Sequence, residues 1–140
     1  MTPPANPPTI ALVEDDLRQI KGLATLLDRT GFRTFLFASA EQFEDWLRAD
    51  EPALVFLDAD MPGESGLEAY VRLRDAGRLG SSVPVLFLTG FLGAEQIVAA
   101  YEAGAWDVVS KPVDPRILVA KCRSILARTG CLPAAMSAER

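Results

Sequence analysis

The sequence predicts an α/β protein: a doubly wound parallel sheet of five strands with five helices on its two faces. Three observations predict it. Short apolar runs alternate with segments of helical spacing along the whole 140-residue chain. Two of the runs, at 54–57 and 83–89, are almost purely apolar, as strands covered on both faces are. The connections are only a few residues long, and right-handed crossovers then lay the strands parallel, with helices on either side.

Residues 1–8 carry four prolines and no periodicity, so a flexible lead-in is expected there. The ordered domain is expected over 9–128, with 129–140 as a tail or the start of a linker. Residues 9–13 form the first strand and run straight into Glu14-Asp15-Asp16. Asp16 caps a helix in which Leu17, Ile20, Leu23, Ala24 and Leu27 repeat at helical spacing, and Gly31 stops it. Residues 32–38 are the second strand. Ser39, with Gln42 three residues later, is a capping-box pair, and Phe43, Trp46 and Leu47 form the inner face of the second helix. The third strand, 54–57, ends at Asp58, because Met61-Pro62-Gly63 cannot continue it. Residues 66–76 are helical with Leu67, Tyr70, Val71 and Arg74 in phase, followed by a loop at 77–82. The fourth strand, 83–89, is halted by Gly90. The fourth helix, 94–102, turns Ile97, Val98 and Tyr101 inward and ends at Gly104. The fifth strand, 107–111, stops at Pro112, and Asp114-Pro115 opens a last helix lined by Ile117, Leu118, Cys122 and Ile125. From Gly130 onward a frayed tail is expected.

Composition excludes several classes of function. The length suits one domain with a real core and not two, and 49% apolar with 24% charged residues is a soluble globular profile. No apolar run approaches the ~20 residues that span a bilayer. The opening MTPPANPP has neither the basic nor the apolar region of a secretory signal, so a cytoplasmic protein without membrane partners is expected. A net charge of −5 without a basic cluster argues against direct nucleic-acid binding by this domain. The absence of histidine excludes His-based triads, His metal sites and phosphohistidine chemistry. Cys122 falls on a helical stripe and Cys131 in the tail, with no metal-ligand spacing between them.

Chemistry collects at the carboxyl ends of the strands: Glu14 and Asp15 after the first, Asp58 after the third, Thr89 after the fourth, Lys111 at the end of the fifth. In a flavodoxin-like order, 2-1-3-4-5, the first and third strands meet at the topological switch point, where open α/β sheets bind their ligands. Asp58 taken alone fits a turn cap equally well. The grouping is what favours a site. Carboxylates in the first loop suit a flavin phosphate poorly, since a phosphate needs donors. Three carboxylates in one crevice repel; at ~4 Å and an effective dielectric of about 20 each pair costs on the order of 4 kcal/mol. A hard divalent cation relieves this, and Mg²⁺ suits few carboxylates with several waters. Lys111 adds a positive charge and is expected to pair with Asp58 at rest, whether the pair is functional or structural. The set meets the needs of phosphoryl transfer to Asp58, with metal and Lys111 neutralising the equatorial oxygens and Thr89 donating a hydrogen bond.

On the motifs ALVEDD, LVFLDADMPGESGLE, VPVLFLTG and VVSKPV, the chain resembles the response-regulator receiver domains of bacterial two-component signalling over about residues 9–128. The resemblance implies a phosphoacceptor at Asp58 and Mg²⁺ held by Asp15, Asp58 and the backbone carbonyl of Asp60, with Glu14 assisting through water. It implies a cis peptide bond between Lys111 and Pro112. A histidine kinase or histidine phosphotransfer protein would supply the phosphate. Output would pass through the surface of the fourth helix, fifth strand and last helix, including pairing with a second copy. The domain would be no enzyme beyond weak self-phosphorylation and dephosphorylation.

Two positions depart from that pattern. Val108 stands where receivers commonly carry Tyr or Phe, and nearby Trp106 is expected to pack under the loop before the strand. Phe91, two residues after Thr89, is either a ring that slows loss of phosphate or a buried or partner-facing side chain. Two rival readings remain. A haloacid-dehalogenase-like phosphatase also uses Asp-x-Asp after a strand, but places it on the first strand and needs room for a cap and a later acidic pair. A phosphate-independent receiver-like binding module is disfavoured by the complete set of Glu14, Asp15, Asp58, Thr89 and Lys111.

Overall fold

A computed structural model describes residues 7–90 and 93–132. The elements run β1 (Thr9–Val13), α1 (Leu17–Thr30), β2 (Arg33–Phe37), α2 (Ala40–Leu47), β3 (Leu54–Asp58), α3 (Gly66–Asp75), β4 (Val85–Thr89), α4 (Ala94–Glu102), β5 (Asp107–Ser110) and α5 (Pro115–Thr129). All five strands are parallel, in the order β2-β1-β3-β4-β5. This is the expected flavodoxin-like sheet. Its register matters most: Val13 pairs with Phe37 and Leu57, Asp58 with Leu88, and Thr89 with Ser110. The carboxyl ends are therefore flush, and the side chains just beyond them share one crevice.

Every residue of β3 and β4 is buried, which is why they read as unbroken apolar runs. Alternate side chains feed two cores. Val55, Leu57 and Phe87 pack with Phe43, Ala69, Tyr70 and Leu73 beneath α2 and α3. Leu12, Phe56 and Leu88 pack with Ile20, Leu23, Leu27, Leu118 and Cys122 beneath α1 and α5. Each such large side chain contributes roughly 1.5–3 kcal/mol.

The helix ends follow local chemistry. The Asp16 and Asp114 carboxylates accept from the Arg18 and Arg116 amides. Ser39 accepts from the Gln42 amide, while the Gln42 side chain reaches Ala38 N, one residue earlier than in a reciprocal box. A complete capping box forms at Ser65 and Glu68 instead.

Several expectations need correction. β4 starts at Val85, because Pro84 has no N–H for the ladder and offers only its carbonyl, to Val55. The inner stripe of α3 is Ala69, Tyr70 and Leu73, with Val71 exposed, and Arg74 reaches across to the Tyr70 hydroxyl and the Ala103 carbonyl. On α4 only Ala100 is buried; Val98 is 54% and Tyr101 46% exposed. Ile97, Val98 and Tyr101 do share one stripe of that helix, but the sheet packs against its small-residue side at Ala100 and leaves Val98 and Tyr101 outward. Trp106 lies exposed rather than under its loop, and Ile117 is exposed at the start of α5. Pro8 is buried and accepts from the Arg33 amide, while residues 1–6 of the expected lead-in lie outside the described residues. Beyond Gly130, Cys131 and Leu132 donate back to Leu126 O, and residues 133–140 of the expected tail lie outside the described residues.

The start of α3 crosses β3 at Gly66, where a Cβ would collide with the carbonyl oxygen of Asp58 and the Cα of Ala59. Gly66→Ala is therefore expected to destabilise the fold by about 1–3 kcal/mol, read as a lower urea midpoint. An unchanged midpoint would show that α3 can shift freely.

Candidate functional site

Glu14 follows β1 directly, Asp58 is the last residue of β3, and each is 1% exposed, whereas Asp15 beside them is exposed. Two acids this deep are rare unless paired. Lys111 is their partner: its Nζ donates to Glu14 Oε1 at 2.7 Å and to Asp58 Oδ1 at 3.1 Å. Asp58 Oδ1 also accepts the Asp60 amide at 2.9 Å. The Lys111 amide donates to Thr89 O at 2.6 Å, and the Lys111–Pro112 peptide bond is cis, as the resemblance implies.

Burial pushes the Glu14 carboxyl up to about 7, the neighbouring Asp58 carboxylate adds to the rise, and Lys111 offsets only part of it. For Asp58, burial also pushes upward, but hydrogen bonds with Glu14, the Asp60 amide and Lys111 outweigh it and hold the carboxyl below its ordinary value. Burial would lower Lys111, yet its two carboxylate partners keep it raised.

Glu14, Asp15 and Asp58 each present an oxygen, all within 4.8 Å of one another. One ammonium against three carboxylates leaves the crevice short of positive charge. An all-oxygen donor set of this kind fits a hard divalent cation.

Thr89 is buried at the end of β4, and its hydroxyl donates to the Asp60 carboxylate at 3.2 Å, beside a Gly90 N–H contact to the same oxygen at 2.7 Å. The structure thus brings together Glu14, Asp15, Asp58, Asp60, Thr89 and Lys111. The side-chain role of Asp60 was not anticipated; a second acid two residues after Asp58, in a turn facing Thr89, was the available signal. Phe91 lies outside the described residues. Val108 is half-buried, and its N–H, on the open edge of β5, is met by the Tyr101 hydroxyl at 3.2 Å and the Asp107 carboxylate at 2.9 Å. Lys121 of α5 pairs with the same carboxylate at 2.6 Å. Tyr101 thus links α4 to β5 from outside the sheet.

A family model described as the response regulator receiver domain matches residues 10–123. The chain belongs to the response regulator receiver family. Among its relatives, the transcriptional regulatory protein CseB of Streptomyces coelicolor is 37% identical over 123 residues, 86% of this chain and 50% of that protein. The phosphate regulon transcriptional regulatory protein PhoB of Pseudomonas aeruginosa is 31% identical over 87% of this chain and 53% of its own length. The receiver chain thus spans about half the length of these relatives. Among solved structures, a BeF3-activated DrrB receiver domain superposes with a TM-score of 0.76 at 29% identity, covering 86% of this chain and 98% of that one. A CheY-like receiver from Methanospirillum hungatei JF-1 reaches 0.80 at 23% identity over 88% and 96% of the two chains, a likeness of fold.

A receiver with a raised Glu14 has a testable pH signature. Its folded state binds this proton more tightly than the unfolded chain, so the contribution is full below the ordinary value of 4.5 and is lost as pH rises through about 7. In metal-free buffer the melting temperature is expected to fall from about pH 5 to about pH 7.5, and Glu14→Gln to flatten that fall. Parallel curves for parent and variant would remove Glu14 as the cause.

Proposed function

We propose that this receiver accepts a phosphoryl group on Asp58 and acts as a phosphorylation-dependent signalling switch. The observation that carries the reading is the buried Asp58 carboxylate at the mouth of the sheet, bridged to Glu14 by Lys111 with Asp15 beside it. Asp15, Asp58 and the Asp60 backbone carbonyl would hold Mg²⁺, with Glu14 assisting through water. Bound there, Mg²⁺ would neutralise charge on phosphoryl oxygens and lessen the repulsion among the acids.

An Asp58 oxygen attacks phosphorus, the bond to the leaving group breaks, and an acyl phosphate forms. Lys111 is already within reach to stabilise the charge that develops. The modification adds close to two negative charges at neutral pH, which draws Thr89 and Lys111 toward the new oxygens. The loop after β4 then moves and reshapes the α4-β5-α5 surface. On that surface Val98, Tyr101, Trp106 and Ile117 are exposed together, and a second copy of the chain is the fitting partner. A histidine kinase or histidine phosphotransfer protein is the proposed donor. Activity of the domain's own is limited to weak self-phosphorylation and dephosphorylation.

An output on transcription is suggested by the names of the relatives. It would belong to the wider protein rather than to direct nucleic-acid contact by this domain. The described residues contain no helix long and apolar enough to cross a membrane, and the proposed cytoplasmic location rests on the family. The phosphatase rival is displaced by the family match and by the place of Asp58 on β3, third in the chain.

Incubation with acetyl phosphate and Mg²⁺ is expected to leave a single phosphoryl adduct by intact-mass spectrometry. Asp58→Asn should abolish it and Asp15→Asn slow it strongly. Repeated turnover without an adduct would restore the phosphatase. Identical partner binding by parent and Asp58→Asn, whatever the phosphodonor, would establish the phosphate-independent module. Ile117→Glu should keep the adduct yet weaken any phosphorylation-induced self-association by about tenfold or more, measured by analytical ultracentrifugation.

A further inference from the structure

In the reading above, Asp60 contributes a backbone carbonyl, yet its carboxylate makes a separate contact. Oδ2 accepts the Gly90 N–H at 2.7 Å and the Thr89 hydroxyl at 3.2 Å, and Oδ1 lies 3.4 Å from the same hydroxyl. The Asp60 N–H meanwhile donates to Asp58 Oδ1. One residue therefore touches both the acceptor carboxylate and the donors at the end of β4.

Those donors are the ones an anion on Asp58 would call upon. Thr89 is the hydroxyl that a phosphoryl oxygen has to attract, and Gly90 carries the next N–H along the same loop. Both already face a carboxylate. Two anions cannot hold the same pair of donors at close range without strong repulsion. Asp60 is exposed, so its carboxylate can be displaced into water, while Thr89 is buried and has to find its partner inside the crevice.

We propose that the Asp60 carboxylate is an internal anion that latches Thr89 and Gly90 in the resting arrangement, so that a phosphoryl group on Asp58 must displace it before the loop after β4 can move. This rests on Asp58 being the phosphoacceptor. Asp60 is a positioning residue in this scheme: it acts through Thr89 and sets how far the resting state is favoured. A latch closed about nine-tenths of the time weakens apparent affinity for a phosphoryl mimic about tenfold, and opening it restores that factor.

The test is titration of the full chain with beryllofluoride in the presence of Mg²⁺, followed by the Gly90 amide resonance and by tryptophan fluorescence. Asp60→Asn keeps the shape of the side chain and one acceptor oxygen but removes the charge; it should half-saturate at about tenfold lower beryllofluoride than the parent. Asp60→Ala should shift the same way. In the free variants the Gly90 amide proton should move upfield, as it does when a charged acceptor is lost. Local damage would weaken binding, so a gain in affinity is not a structural artefact. Thr89→Val separates the latch from plain charge repulsion, since the gain from Asp60→Asn should shrink in that background. Equal or weaker binding by Asp60→Asn, or an undiminished gain in the Thr89→Val background, overturns the latch and leaves the phosphoacceptor reading standing. Failure of the parent to bind, or equal binding by Asp58→Asn, overturns that reading and the latch with it.

Discussion

The bridge that Lys111 makes between Glu14 and Asp58 is the constraint on which the rest of this molecule depends. Two carboxylates almost without solvent contact cannot stand alone, and breaking such a buried set by removing one partner costs about 3–5 kcal/mol. The bridge also falls short. One ammonium serves two buried acids with the exposed Asp15 beside them, and Glu14, pushed up first by its burial and then by the neighbouring Asp58, stays raised in spite of it. A site balanced in this way is poised to gain from a cation and to rearrange when an anion arrives. The same shortage of positive charge that makes the crevice costly gives it its chemistry.

Nothing on the surface could have built that bridge; the sheet does. β1, β3 and β5 deliver Glu14, Asp58 and Lys111 to one level only because the parallel register is flush at their carboxyl ends. Slippage by one residue would turn each side chain to the opposite face. Register is held by the burial of β3 and β4 on both sides, so core packing and site geometry are the same property seen at two distances. The close approach at Gly66 extends the coupling to α3, which leans directly on the carbonyl of Asp58.

Most of this was legible in the sequence because the strongest signals were local. Unbroken apolar runs with abrupt acidic ends identify β1 and β3, Asp58 and Thr89 each close a strand, and Lys111 follows the last residue of β5. The failures share a cause. On α3 the apolar residues are too evenly spread for a 3.6-residue period to choose one face, and on α4 the period marks a stripe that packing leaves largely exposed. Period puts Val71 in phase on α3 and turns Val98 and Tyr101 inward on α4, whereas tertiary packing buries Ala69, Leu73 and Ala100. Trp106 was misplaced on the assumption that a large ring seeks burial, a one-way rule at best. The Asp60 carboxylate escaped notice for a different reason. Its partners, Thr89 and Gly90, are some thirty positions away in the chain, and no spacing rule connects them.

Val98, Tyr101 and Trp106 lie together on α4 and the approach to β5. With Val108 in place of an aromatic, the fifth strand has no ring to rotate inward behind a shifting Thr89. Its edge is instead engaged from outside by Tyr101, whose hydroxyl meets the Val108 amide and the Asp107 carboxylate, which Lys121 holds from α5. Any displacement of α4 must strain or break the Tyr101 contacts, and any change at β5 is felt by α5 through Asp107. Motion of the loop after β4 therefore has a mechanical route to the exposed apolar surface that does not pass through the interior. Two polar contacts with partly exposed partners are weak enough to exchange and directional enough to define two positions, which is the requirement for a switch that a single charge at Asp58 can bias.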